Sequence, residues 1–239
     1  MKLIIPELSF VVLIGPSGSG KSTFARSHFG AFEVLSSDSC RGLVSNNEND
    51  QSATKEAFEA LHFLAAKRLA RGLLTVVDAT NVQPEARKPL VELARRYHVL
   101  PVAIVLNLPE RVCEARNQGR PDRTFGAHVI RQQRSQLQRS LRGLQREGFR
   151  HLHVLQSEAE IADVTIERQP LWNNRKFDRG PFDIIGDVHG CASELEELLG
   201  KLGYEQNGAG VWDHSENRKA TSSATWSTVD PAFRTCSDS

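Results

Sequence analysis

Residues Gly15–Thr23 read Gly-Pro-Ser-Gly-Ser-Gly-Lys-Ser-Thr, a G-x-x-x-x-G-K-[ST] spacing. Glycines at these intervals let the backbone curl so that successive N–H groups face anionic oxygens. A helix opening at Lys21 adds its positive end to the same place. Lys21 is placed to reach the β- and γ-phosphates of a nucleoside triphosphate, and the Ser22 hydroxyl to hold Mg²⁺. The candidate ATP-binding set is therefore Gly15, Ser17, Gly18, Ser19, Gly20, Lys21, Ser22 and Thr23.

Three further groups could add chemistry. Ser36-Ser-Asp-Ser-Cys-Arg41 offers Asp38, a carboxylate able to take a proton from an attacking hydroxyl. Arg41 stands three residues on, on the same helix face, and could hold an acceptor phosphate through a two-point contact. Alternatively Asp38 simply caps a helix over 40–44. Val76-Val-Asp-Ala-Thr-Asn81 ends an apolar run in Asp78, which suits an outer contact to Mg²⁺ or a plain strand terminator. Arg116-Asn-Gln-Gly-Arg120, with Arg123 nearby, has the spacing of a mobile lid whose guanidinium groups close on a transferring phosphate. The plainer reading is a solvated helix face.

These groups need a scaffold that brings loop ends to one edge. The sequence predicts strands over 10–14, 33–36, 73–77, 100–106, 151–155 and 164–167. It predicts helices over 21–29, 40–44, 53–71, 85–97, 109–119 and 125–147. Continuous apolar strands alternating with amphipathic helices imply an α/β fold: a parallel sheet covered by helices on both faces. In such sheets ligands gather at the carboxyl ends of the strands, where Gly15, Asp38 and Asp78 fall. Gln169–Pro181 has no period and reads as an interdomain linker. A new strand over 182–185 and a helix over 192–202 follow, and after Gly203 the pattern fails.

Composition narrows the setting. The 239 residues carry a net charge of +1, so bulk charge says nothing about partners. Its distribution does: residues 111–150 hold ten arginines against three acids, a net +7. Such asymmetry points to a polyanion. The four cysteines, Cys40, Cys113, Cys191 and Cys236, form no C-x-x-C pair, which argues against a zinc site or a disulfide framework. The opening Met1–Glu7 is broken by Pro6 and reads as neither a leader peptide nor a membrane span, so a cytoplasmic location is expected.

Taken together, Gly15–Thr23, Ser37-Asp38 with Arg41, Val77–Asn81 and Arg116-x-x-x-Arg120 resemble the kinase module of bacterial polynucleotide kinase-phosphatases, which heal RNA ends. The resemblance covers 1–170 and includes Leu43-Val44, Asn49-Asp50-Gln51 and 143–149. It implies a P-loop phosphotransferase using ATP and Mg²⁺ at Lys21 and Ser22. Asp38 would be the general base for a 5′-OH RNA or DNA end, Arg41 would bind the acceptor phosphate, and Arg116 and Arg120 would grip the donor. Other RNA-repair proteins are implied as partners. A small-metabolite kinase and a nucleotide-binding module without turnover stay open as alternatives, as does a homo-oligomer.

Gly186-Asp-Val-His-Gly190 extends the resemblance to the metallophosphoesterase module, where Asp187 and His189 would be a first ligand pair for Mn²⁺ or Ni²⁺. The later Gly-Asp-x-x-Asp-Arg-Gly and Asn-His motifs of that module are missing. The expected organisation is a kinase domain over 1–170, a linker over 171–181 and an incomplete α/β phosphoesterase fragment over 182–239, its phosphatase activity lost. Residues 220–239 are expected to be disordered and out of frame, and the segment from about Pro181 onward to be poorly ordered and to bind no binuclear metal: codons can be chosen for 220–239 whose shifted reading yields Gly-Asp-x-x-Asp-Arg-Gly.

Overall fold

The computed structural model describes residues 1–119, 126–171, 174, 178–186, 188–208 and 210–222. The chain divides into two compact units, Met1–Trp172 and Asn173–Ser239.

The first unit is built on a five-stranded sheet. Its strands are β2 (Ser9–Ile14), β3 (Val34–Ser36), β4 (Thr75–Asp78), β5 (Leu100–Leu106) and β6 (His151–Leu155), in the order β3-β4-β2-β5-β6. Every pairing is parallel. Strand β2 is buried along its whole length, as a strand covered on both faces must be. Its side chains alternate between two apolar clusters. Phe10, Val12 and Ile14 pack with Ala57, Leu61 and Leu90 on one face; Val11 and Leu13 pack with Phe24 and Ala25 on the other.

Helix α1 (Lys21–His28) lies on the second face. Helices α3 (Thr54–Leu69) and α4 (Pro84–Arg96) lie on the first. Helix α2 (Ser37–Ser45) precedes α3 and packs against it. Helix α5 (Glu110–Gln118) and helix α6 (Ala127–Leu141) follow β5 and share the small cluster of Leu108, Cys113 and Ile130. The α/β fold with a parallel sheet between helical layers is thus as the pattern required.

Several details differ from the sequence reading. Lys2–Pro6 forms a strand, β1, paired in parallel with β7 (Thr165–Gln169). Its buried positions are Leu3, Ile5 and Pro6, too short a signal to stand out before its partner is known. The helix expected over 125–147 ends at Leu141, and a 3₁₀ turn covers Leu144–Glu147. Gly143 falls at that break, where a residue without a side chain weakens a helix. A short helix α7 (Glu158–Ala162), capped by the Ser157 hydroxyl, lies between β6 and β7.

The second unit begins with β8 (Phe182–Ile185) and α8 (Ala192–Lys201). Three short strands follow: β9 (Tyr204–Gln206), β10 (Trp212–His214) and β11 (Lys219–Ser222). Strands β9 and β10 form an antiparallel ribbon, and β11 pairs in parallel with β8. Poor order from about Pro181 onward, and disorder from residue 220, are therefore corrected as far as Ser222 among the described residues. Ala220 sits opposite Asp183 and packs on the cluster of Leu195, Leu199 and Tyr204, which gives the strand an apolar anchor. Residues 223–239, on which the rest of that expectation falls, lie outside the described residues.

Candidate active site

The loop between β2 and α1 owes its shape to two left-handed glycines, Gly18 (φ +80°) and Gly20 (φ +93°). Backbone blocks a side chain at Gly18, while at Gly20 the positive φ and a flexible arginine oppose one. A Cβ on Gly18 would lie 2.2 Å from the carbonyl oxygen of Cys113, and one on Gly20 would lie 2.9 Å from Arg116 Nη1. Gly20 also leaves the start of α1 without a side-chain cap, so the positive end of the helix is open to an anionic ligand. The Gly15 N–H donates to the Thr80 carbonyl at 3.0 Å, tying the loop to the end of β4. Lys21 is buried, and its Nζ bonds the Gly15 and Pro16 carbonyls at 2.9 Å each. That brings its charge back over the loop.

One cleft is lined by Ser17, Gly18, Gly20, Lys21, Ser22, Ser37, Asp38, Asp78, Ala79 and Thr80. It gathers most of the predicted set at the carboxyl edge of β2, β3 and β4, where register puts Leu13 and Ser36 beside Asp78. A buried cation, a hydroxyl and two carboxylates on one wall fit a polyphosphate with a divalent ion: Ser22 and Asp78 could hold the ion, and Lys21 the phosphates. Gly15 and Ser19 support the loop from behind, and Thr23 lies on the exposed side of α1, away from the cleft.

Asp38 lies in the first turn of α2, and the helix cap is Ser36, whose hydroxyl accepts from the Ser39 N–H. The alternative of Asp38 as a cap is thereby removed. Its Oδ1 accepts from Arg41 Nη1 at 2.8 Å, and the same nitrogen donates to the Glu48 carbonyl at 2.7 Å. Arg41 is buried, and among the described residues its Nε has no hydrogen-bond partner.

Arg116, on α5, extends to the phosphate loop. Its Nη1 is 3.4 Å from the Ser19 carbonyl and its Nη2 bonds Glu158 at 2.5 Å. Arg120 and Asp187 lie outside the described residues. His189 is exposed, in a turn with φ +42°. Among the described residues no group of three or more His, Cys, Asp or Glu side chains is placed to hold a metal ion.

Burial pushes the Cys113 thiol up, against the opposing charges of Lys21, Arg116 and Arg134. Three cations therefore bear on the residue that backs Gly18.

Some site residues carried no assignment in the sequence. Ser37, Ala79 and Thr80 line the cleft, although Ala79 and Thr80 lie inside a motif already noted for Asp78. Gln133 of α6 accepts a hydrogen bond from the Ser17 N–H at 2.8 Å, across 116 residues of chain, a contact with no local signal.

A parallel sheet whose central strand runs through a glycine-rich phosphate loop into a helix defines a P-loop phosphotransferase fold of the kinase type. Residues 10–145 match the AAA domain family, and the chain belongs to it. A chain in the solved structure of the Pnkp1/Rnl/Hen1 RNA repair complex shares the fold, with a TM-score of 0.51 and 20% identity over 58% of this chain and 47% of that one. A bis(5′-nucleosyl)-tetraphosphatase, PrpE, from Oceanobacillus iheyensis is 65% identical over 37 residues, 16% of this chain and 14% of the relative. Transcription factor bHLH140 of Arabidopsis thaliana is 28% identical over 187 residues, 77% of this chain and 19% of that protein. The chain thus spans no more than 19% of the length of these curated relatives. Among the described residues, no helix is long and apolar enough to cross a membrane.

Proposed function

We propose that the chain transfers the γ-phosphate of ATP to the 5′-hydroxyl of a polynucleotide end, RNA or DNA. The observation that carries this reading is the placement of Asp38. It shares a cleft with Lys21 and Ser22, and it is hydrogen-bonded to a buried arginine whose Nε has no partner among the described residues. A carboxylate there can take the proton of an attacking hydroxyl, while Arg41 holds the acceptor's adjacent phosphate. Lys21 and Arg116 offset the charge that develops on the transferring group. Magnesium bound at Ser22 would supply further charge neutralisation, with Asp78 beside it. Arg120 is proposed to join Arg116 in this role.

The polynucleotide is favoured over a small metabolite by the net +7 of residues 111–150, which suits a polyanion. The RNA repair complex named among the similar structures points the same way, and other RNA-repair proteins are proposed as partners. Transfer of labelled phosphate from ATP to 5′-OH RNA and DNA oligonucleotides tests the proposal. Transfer should weaken as salt rises, with a log–log slope of about −0.7 per phosphate contacted on a single strand. A chain that phosphorylates no oligonucleotide overturns it; transfer to a small polyol with no salt slope would favour a metabolite kinase.

For the second unit we propose an incomplete metallophosphoesterase-like module without phosphatase activity, in which Asp187 and His189 are what remains of a site that would hold Mn²⁺ or Ni²⁺ only if the module were complete. The Gly186-Asp-Val-His-Gly190 motif, following β8 and preceding α8, supports this reading. Phosphatase assays with Mn²⁺ and with Ni²⁺ on the full chain test it: measurable metal-dependent phosphatase activity overturns the reading.

A further inference from the structure

The contact between Gln133 and the phosphate loop is not used by the reaction as described so far. Helix α6 is held firmly where it passes the loop. Ile130 and Leu137 are buried, Gln138 Nε2 donates to Asn107 Oδ1 at 2.7 Å, and the Ser140 hydroxyl donates to the Val82 carbonyl at 2.9 Å. The backbone at Gln133 is thus fixed before its side chain reaches out, and it ends on the N–H of Ser17.

That contact settles the orientation of the amide. An N–H donor must meet the amide oxygen, so Nε2 carries its two N–H groups on the other branch. Among the described residues Nε2 makes no hydrogen bond, and it is not sealed from solvent. Ser17 itself lines the cleft together with Asp38, which marks the end where the acceptor arrives. The residue next to Gln133 adds to the picture. Among the described residues Arg134 Nε is buried without a partner, and its charge bears on Cys113 behind Gly18. Helix α6 therefore sets Gln133 on the phosphate loop and the charge of Arg134 near the residue behind it.

We propose that Gln133 reads the terminal phosphate of the bound nucleotide: Oε1 holds the Ser17 N–H, and Nε2 donates to a γ-phosphate oxygen, so that triphosphate is preferred over diphosphate. This inference rests on the cleft being a nucleotide site. A neutral donor suits the task. It recognises the extra phosphate without adding a fourth cation to Lys21, Arg116 and Arg134, and it releases the diphosphate once the phosphoryl group has left.

The test measures affinity for ADP and for the β,γ-imido analogue of ATP, both with Mg²⁺, by calorimetry on the full chain. Gln133→Met keeps the length of the side chain and removes both its donors and the acceptor for Ser17; Gln133→Glu keeps that acceptor and sets a charge against the phosphate. A hydrogen bond to a charged group is worth about tenfold or more in affinity. Gln133→Met should lose about tenfold for the triphosphate analogue, Gln133→Glu more than that, and both should hold ADP within about threefold of the wild type. Equal losses for both nucleotides, or a lower Tm with no selective loss, would reduce the contact to a helix–loop tie and overturn the inference alone. A wild-type chain that binds neither nucleotide overturns the site itself, and this inference with it.

Discussion

Arg87, wholly out of solvent on α4, grips Glu147 at two points, with Nε 2.7 Å from Oε2 and Nη2 2.5 Å from Oε1. Its remaining branch donates to the carbonyl of Asn81 at 2.8 Å. Asn81, left-handed with φ +49°, in turn donates from Nδ2 to the Leu13 carbonyl at 3.0 Å, at the end of the strand that enters the phosphate loop. One buried guanidinium thus braces the segment that carries Asp78 and Thr80 from behind.

Replacing Arg87 leaves Glu147 and the Asn81 carbonyl without their partner. Arg87→Ala should cost about 3 kcal/mol, the low end for breaking a buried pair because Glu147 keeps some exposure. Arg87→Lys should not restore it, since an ammonium cannot match the two-point geometry. Urea unfolding followed by far-ultraviolet circular dichroism measures both; a loss under 1 kcal/mol for Arg87→Ala would show that the brace carries little.

Asp38 has two roles to separate, because it also orients Arg41. Asp38→Asn can still accept from Arg41 but cannot take a proton. Its turnover on 5′-OH oligonucleotides should fall by roughly 10²–10⁴-fold with ATP binding nearly intact. Near-normal turnover would leave Asp38 only as a guide for Arg41.

Arg116 and Glu158 form an exposed pair, and such pairs contribute about 0–1 kcal/mol. Glu158→Gln should therefore move Tm very little. Arg116→Ala should lower phosphoryl transfer on the order of 10³-fold if the guanidinium acts on the transition state. Equal, small effects of both changes on single-turnover rates would place Arg116 on a merely solvated face.

Two glycines make a controlled comparison. Gly72 is left-handed with open space around its Cβ position, whereas Gly18 is left-handed and faces the Cys113 carbonyl at 2.2 Å. Alanine at either costs about 1–2 kcal/mol for the conformation alone. Gly18→Ala must also push the loop off α5, so nucleotide affinity should drop at least about tenfold, while Gly72→Ala should lower Tm and leave affinity unchanged. Calorimetric titration of both variants decides this.

In the second unit the Arg218 guanidinium holds the Asp183 carboxyl down at about 2, with help from the Tyr204 hydroxyl. Burial first, and then Asp183, pushes that hydroxyl up to about 12. Because the folded carboxyl lies below its ordinary value of 3.8, the stabilisation is complete above about pH 4 and is lost as pH falls toward 2. Arg218→Met should remove this acid limb. Tryptophan emission against pH is the measurement, and an unchanged profile would refute the link.

The local signals in the sequence carried far. Apolar runs at 10–14 and 100–106 announced buried parallel strands, and the glycine spacing after Ile14 announced the loop and helix α1. What stayed hidden depends on partners far along the chain. Lys2–Pro6 becomes a strand only because Thr165–Gln169 lies beside it. Arg87 and Glu147 look like two solvated charges until the helices that carry them meet. The amide of Gln133 reads as one of several glutamines on a polar helix until Ser17 is placed against it. After Gly203, strands of three or four residues with one or two buried side chains have too few positions to show a period.

The strand order has a consequence for how the protein is made. Strand β2 has β4 and β5 as its neighbours, and neither comes next in the chain. At about 5–20 residues per second of synthesis, the apolar stretch Phe10–Ile14 leaves the ribosome several seconds before Thr75–Asp78 exists to pair with it. Through that interval its backbone donors and acceptors are open to other chains. During synthesis of a chain of this topology, β2 therefore waits unpaired until β4 and β5 have emerged.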